Sequence, residues 1–151
     1  MKANLTQINE FLDNKAMAFV GASRNEKKFG TQVFIHQQKL GYILYPVHPE
    51  AAEIQGVTCV NHISDLPVKV KSICLFTHKQ ATDSIVEESL KHGITQIWVQ
   101  QFSETEKTSQ LVQNFLQANI VTGRCVFMYT ESSGMHNFHR KVNKMFGTIA
   151  K

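Results

Sequence analysis

The stretch Ala16-Met17-Ala18-Phe19-Val20-Gly21-Ala22-Ser23-Arg24, continuing as Asn25-Glu26-Lys27-Lys28-Phe29-Gly30, decides the fold. Five apolar residues in a row that stop at a glycine read as a central strand buried on both faces, the kind found in parallel sheets. Beyond it, Gly30 to Leu40 carries Val33, Phe34, Gln37 and Leu40 at helical spacing, and Gly41 stands where a C-terminal cap glycine belongs. The order is strand, turn, helix.

The same alternation continues outward from this unit. Tyr42-Ile43-Leu44-Tyr45-Pro46-Val47 predicts a second strand, with Pro46 and Pro49 holding its carboxyl end extended. Ile54-Gln55-Gly56-Val57 reads as a turn into a short segment, and Ser64-Asp65-Leu66-Pro67 as one helical turn closed by proline. Val70 to Phe76 predicts a third long strand. Gln80 to His92 has helical period, with Glu87 and Lys91 as an i,i+4 pair and Gly93 as the stop. Ile94 to Val99 predicts a strand around Trp98. Ser103 and Glu106 have the spacing of a capping box for a helix through Leu111, Val112, Phe115 and Leu116. Ile120-Val121 leads to a last strand or strand pair around Cys125 to Met128. From about 135 to 147 the apolar residues recur as in an amphipathic terminal helix, its apolar face serving as core or as a contact between subunits. Strands alternating with helices predict an α/β fold, doubly wound, with a mainly parallel sheet and helices on both faces.

A chain of 151 residues has room for one sizeable core, so residues 1–151 are expected to form a single domain with its core over 11–128. At 42% hydrophobic and 19% charged residues, the composition is that of a globular protein, and no apolar run reaches membrane length. Near the N-terminus Asn4, Thr6 and Gln7 interrupt the apolar residues, and the three cysteines form no paired motif. A cytoplasmic protein with reduced thiols is expected. The net charge of +4 is dispersed and accompanies no nucleic-acid-binding signature. The expected partner is a small nucleotide, with neither nucleic acid nor membrane.

In a doubly wound sheet, the first strand-to-helix turn is the usual phosphate site. Here Gly21 permits a tight bend and close approach of a ligand to the backbone, Ser23 offers a hydroxyl, and Arg24 and Lys28 offer positive charge. The amino end of the following helix adds N–H groups and a positive dipole end. Ala22-Ser23 occupies the place of the second glycine of a dinucleotide fingerprint, and no Gly-Lys-Ser/Thr follows, which disfavours NTP hydrolysis. Val47-His48-Pro49 ends the second strand without the acid that binds an NAD ribose. The plainer reading leaves Gly21 as a tight connection and Arg24 and Lys28 as solvated charges.

Gly21-Ala22-Ser23-Arg24, Lys28-Phe29-Gly30, Gly41-Tyr42, Tyr45-Pro46-Val47-His48-Pro49, Gly56, Ser64-Asp65-Leu66-Pro67, Gly93-Ile94, Trp98-Val99-Gln100 and Gly123-Arg124-Cys125 occur in that order. Together they resemble the stand-alone CoA-binding domain proteins, which are similar to the N-terminal domain of the succinyl-CoA synthetase α subunit. The resemblance implies a Rossmann-like five-stranded sheet that holds coenzyme A or an acyl-CoA by its nucleotide end. It implies that Gly21, Ala22, Ser23 and Arg24 with Lys28, Phe29 and Gly30 surround phosphates. It further implies that Val47, His48 and Pro49 line the adenine or ribose side, and that Thr77, His78 and Gln100 complete the crevice. Two departures stand out: Thr77-His78-Lys79-Gln80 replaces the family's small residues and prolines, and His48 stands where an asparagine is common.

No catalytic constellation emerges. Ser23 lacks a His and acid partner, His48 reads as a packing imidazole, and Cys125 beside Arg124 reads as a buried strand cysteine. His136 and His139 have metal-ligand spacing without a third ligand. The expectation is therefore non-catalytic binding of CoA or acyl-CoA, as a carrier, a sensor, a homodimer or a subunit of an acyl-CoA-related assembly. The alternatives are an NAD(P)-dependent oxidoreductase with Arg24 on a 2′-phosphate, and a nucleotide-binding regulatory partner.

Overall fold

A computed structural model describes residues 2–130. Its centre is a five-stranded parallel sheet of β1 (Ala16–Val20), β2 (Ile43–Val47), β5 (Ser72–Leu75), β6 (Gln96–Gln100) and β7 (Asn119–Arg124), in the spatial order β2-β1-β5-β6-β7. The two residues of β3 (Glu53–Ile54) and of β4 (Val57–Thr58) form a separate antiparallel hairpin. Gln55 and Gly56 turn it, both with positive φ, as a two-residue hairpin loop requires. Among the described residues four α-helices flank the sheet: α1 (Leu5–Leu12), α2 (Phe29–Lys39), α3 (Lys79–Lys91) and α4 (Glu106–Asn114). This is the expected doubly wound, Rossmann-like α/β fold.

The sheet is covered on both faces. Alternate residues feed two separate cores. Phe19, Cys74, Trp98 and Val121 pack with Ile8 and Phe11 of α1 and with Val33 and Phe34 of α2. Ala18, Ile73, Leu75, Ile97, Val99 and Ile120 pack with Val86 of α3 and Leu111 of α4. Edge-to-face contacts order the first core, Phe11 on Trp98 and Phe19 on Phe34, each with ring centroids 5.3 Å apart.

Several local expectations change. Helix α1 was not anticipated: Asn4 and Gln7 cap it reciprocally, Gln7 N–H to Asn4 Oδ1 at 3.0 Å and Asn4 N–H to Gln7 Oε1 at 3.1 Å. Ser103 does not cap α4. Thr105 does, accepting the Thr108 N–H while its hydroxyl donates to the Asp83 carboxylate of α3. Helix α4 also ends before Phe115 and Leu116, leaving Leu116 exposed. Glu87 pairs across helices with Lys107 at 2.8 Å instead of with Lys91. Leu40 closes α2 as a partly exposed cap residue. Val126–Met128 form a 3₁₀ turn after β7, so no strand runs through Cys125 to Met128. The expected terminal helix over 135–147, with His136 and His139, lies outside the described residues.

No described helix is long and apolar enough to cross a membrane. The three cysteines are unbonded; Cys74 and Cys125 are buried and Cys59 is half-buried. Burial pushes the Cys74 thiol well above its usual range, and neighbouring Cys125 adds to the effect against an opposing hydrogen bond from the Leu75 backbone. Burial, then the charge of Glu53, raises Cys59 as well. A thiol reagent is thus expected to label Cys59 alone in the native protein, more slowly than a free thiol, and all three sites after denaturation. Mass spectrometry showing Cys74 modified as fast as Cys59 would contradict this packing.

Candidate functional site

The sheet order sets where a ligand fits. From β1 the chain crosses to β2 on one side and later to β5 on the other, so the connections diverge and a crevice opens beyond the carboxyl ends of β1 and β5. The first turn lies on that crevice.

Its shape rests on two glycines. Gly21 adopts φ +101°, and a Cβ there would collide with the Phe76 carbonyl just past β5. Gly30, buried in the first turn of α2, would place a Cβ only 2.5 Å from the Gly21 carbonyl oxygen. The bare backbones of strand end and helix therefore touch, and the loop between them is driven outward over the crevice. Phe76 supports this packing, stacked on Phe19 at 5.0 Å and meeting the half-buried Phe29 at 5.6 Å.

Thr31 fixes the loop from beneath. Its buried hydroxyl oxygen accepts the Ser23 N–H at 2.9 Å and its O–H donates to the Ser23 carbonyl at 3.1 Å. The Ser23 hydroxyl oxygen accepts the Asn25 N–H at 3.2 Å, and Asn25 Oδ1 accepts the Lys27 N–H at 3.0 Å. Ser23 thus belongs to a hydroxyl-held turn, and among the described residues its hydroxyl is bonded to no base. Ala22 is buried in the core. Arg24 and Lys28 are exposed, and neither forms an ion pair among the described residues. Lys28 enters α2 in extended conformation with no side-chain cap, so the positive end of the helix faces the loop.

The carboxyl end of β2 supplies the second wall. His48 Nδ1 accepts the N–H groups of Glu50 (3.2 Å) and Ala51 (3.0 Å), the task that an asparagine carboxamide oxygen performs in a turn. These bonds leave Nε2 to carry the proton of the neutral ring. Asn61 Nδ2 donates to the carbonyls of His48 (3.3 Å) and Pro49 (3.0 Å), closing the turn from the other side. Beside it, Val20, Val47, Pro49, Ile63 and Ile85, together with Asn61, His62 and Glu88, line a hollow of about 170 Å³. Larger hollows of about 320 and 420 Å³ lie elsewhere, one by Lys15 and Tyr42 and one between α3 and α4, and neither is lined by Arg24 or Lys28.

The third wall follows β5. The Thr77 hydroxyl bonds that of Thr82 at 2.8 Å, and its carbonyl accepts the Ser103 hydroxyl at 2.7 Å. His78 is exposed and leads into α3 without capping it by its side chain. Residues 21–30, Val47 to Pro49, and Thr77 with His78 therefore follow the carboxyl ends of β1, β2 and β5, with Ala22 turned into the core. Gln100 is differently engaged: it is buried, and its Oε1 accepts the Val126 N–H at 3.2 Å. Thr31 and Ser103, which hold the walls, were missed, because a hydroxyl that bonds backbone across a fold has no signature spacing. No trio of His, Cys, Asp or Glu among the described residues is arranged to hold a metal.

Residues 15–131 match the model of the CoA binding domain. The chain belongs to that family. It is 25% identical to the alpha subunit of acetate–CoA ligase [ADP-forming] II of Pyrococcus furiosus, in a match covering 95% of this chain and 32% of that subunit. The chain thus spans about a third of that relative. A hypothetical protein of Pyrococcus horikoshii superposes with a TM-score of 0.72 at 27% identity, over 83% of this chain and 89% of the other. The dinucleotide forming acetyl-coenzyme A synthetase 1 of Ca. Korarchaeum cryptofilum, solved with phosphate and ADP, gives a TM-score of 0.64 at 26% identity, over 75% of this chain and 26% of the other.

Proposed function

We propose that this CoA-binding-family chain holds coenzyme A or an acyl-CoA by its nucleotide end and performs no chemistry of its own, serving as a carrier, a sensor or a subunit. The observation that carries the reading is the first turn: two glycines let the end of β1 pack backbone to backbone against the Phe76 carbonyl and the start of α2, which sets the loop and the amino end of α2 at the crevice, and the loop's two exposed cations form no ion pair among the described residues. In this reading Arg24, Lys28 and the amino end of α2 meet the diphosphate. The hollow under Val47 and Pro49 is apolar enough to receive a purine, and His48 Nε2–H is a donor for the ribose side. Ser23, held by Thr31 and Asn25, contributes position, and among the described residues it has none of a nucleophile's partners. Its protein partner would be a second copy or a larger acyl-CoA-related assembly.

Isothermal titration of the reduced protein with CoA, dephospho-CoA, NAD, NADP and ATP tests the assignment. CoA is expected to bind best, and Arg24→Ala combined with Lys28→Ala to weaken it about tenfold or more, as loss of charge-assisted phosphate contacts does. Stronger binding of NADP than of CoA would redirect the reading to a dinucleotide enzyme. If no nucleotide binds, the assignment falls.

A further inference from the structure

Two non-glycine residues among those described have positive φ, and one of them, Gln55, turns a hairpin. The other is Phe102, at φ 75°. A bulky aromatic in the left-handed region is costly and persists only where its surroundings enforce it. Burial does not compensate, since 54% of Phe102 is exposed.

The flanking backbone supplies the enforcement. The Gln101 N–H donates to the Arg124 carbonyl at 3.1 Å, and the Ser103 N–H donates to the Gln100 carbonyl at 2.9 Å. The Ser103 hydroxyl reaches across to the Thr77 carbonyl at 2.7 Å. Just before this point the β6–β7 register shifts between Trp98 and Gln100, an irregularity of the type that re-aims side chains near binding sites. The chain is thus bent and pinned on both sides of one aromatic residue.

Its position gives the bend a use. Phe102 follows β6 at the same carboxyl edge as the crevice, and Ser103 ties it to Thr77 at the end of β5. In the order β2-β1-β5-β6-β7, a ligand with its purine by β2 and its phosphates at the β1 turn has the rest of its length free to run past β5 toward β6. At ordinary strand spacing, the end of β6 lies about 10 Å from that turn, a distance the pantetheine arm of CoA spans. We infer that Phe102 is a specificity residue that packs against the pantetheine–thioester arm. This rests on the CoA reading above.

The test compares the native chain, Phe102→Gly and Phe102→Tyr in titrations with CoA, acetyl-CoA and ADP, which lacks the arm. Phe102→Gly is expected to lose about tenfold in affinity for CoA and acetyl-CoA while ADP binding stays within about twofold. It should also melt at a higher temperature, since glycine adopts this φ freely, whereas Phe102→Tyr should retain CoA affinity. Equal effects on CoA and ADP, or none on either, would overturn the inference and leave the CoA reading intact. Failure of the native chain to bind CoA would overturn both.

Discussion

Gly21→Ala is expected to leave the protein unfolded or nearly so. The added methyl meets the Phe76 carbonyl where β1 and β5 diverge, and the backbone there, at φ +101°, is one that alanine resists. Neither strand can yield without breaking its pairing. A cost above about 4 kcal/mol follows from combining such a clash with backbone strain, against a total stability of about 5–15 kcal/mol for a native protein. Gly41 provides the comparison: it too has positive φ, +85°, but a Cβ there meets nothing within 4 Å. Gly41→Ala should therefore show only the backbone effect, about 1–2 kcal/mol. Urea denaturation followed by circular dichroism measures both. Equal losses in the two variants would show that the contact with Phe76 does not shape the turn.

The second large effect is expected at Thr31. Thr31→Val keeps the volume but removes both bonds to Ser23, leaving its N–H and carbonyl without their partner beneath the loop. Two such losses at a buried site cost about 2–3 kcal/mol. The loop also loses its fixed position, so nucleotide affinity should fall about tenfold through poorer preorganisation. Thr31→Ser, which retains the hydroxyl, should recover most of both. A melting temperature and CoA affinity unchanged in Thr31→Val would mean that the loop is held by something else.

The central fold was legible because its signals are local. Ala16 to Gly21 carries a buried strand and its bend in six consecutive residues, and α2 and α3 each end at a glycine, Gly41 and Gly93, with positive φ. What escaped depends on partners distant in sequence. Ser103 and Thr105 are both hydroxyl residues with a suitable residue three positions on; only Asp83, on another helix, selects Thr105 as the cap. Glu87 had a local partner in Lys91 and took Lys107 because α3 and α4 lie side by side. Helix α1 is short and its apolar residues sparse, and Ile8 and Phe11 become informative only once Trp98 is beside them.

At the crevice the same division holds. The turn residues could be read, whereas the reason for Gly30 could not: it accommodates the Gly21 carbonyl, a contact across the turn. His48 stands where an asparagine is expected from the resemblance, and its Nδ1 accepts two backbone N–H groups as an asparagine oxygen can in a turn. Gln100 pointed by its position to the crevice, yet its carboxamide oxygen joins β6 to the 3₁₀ turn after β7.

The contact between Gly21 and Phe76 also bears on the order of events during folding. Its halves follow strands separated by a helix, a strand, a hairpin and a helical turn, so the turn acquires its final shape only after β5 has docked beside β1. Such non-local pairing is slow relative to helix formation. A nascent or partly opened chain therefore has no competent crevice, and any ligand that requires it binds the native state alone. Ligand concentration then feeds directly into the folding equilibrium by mass action, and cellular supply of that ligand would regulate how long the polypeptide survives proteolysis.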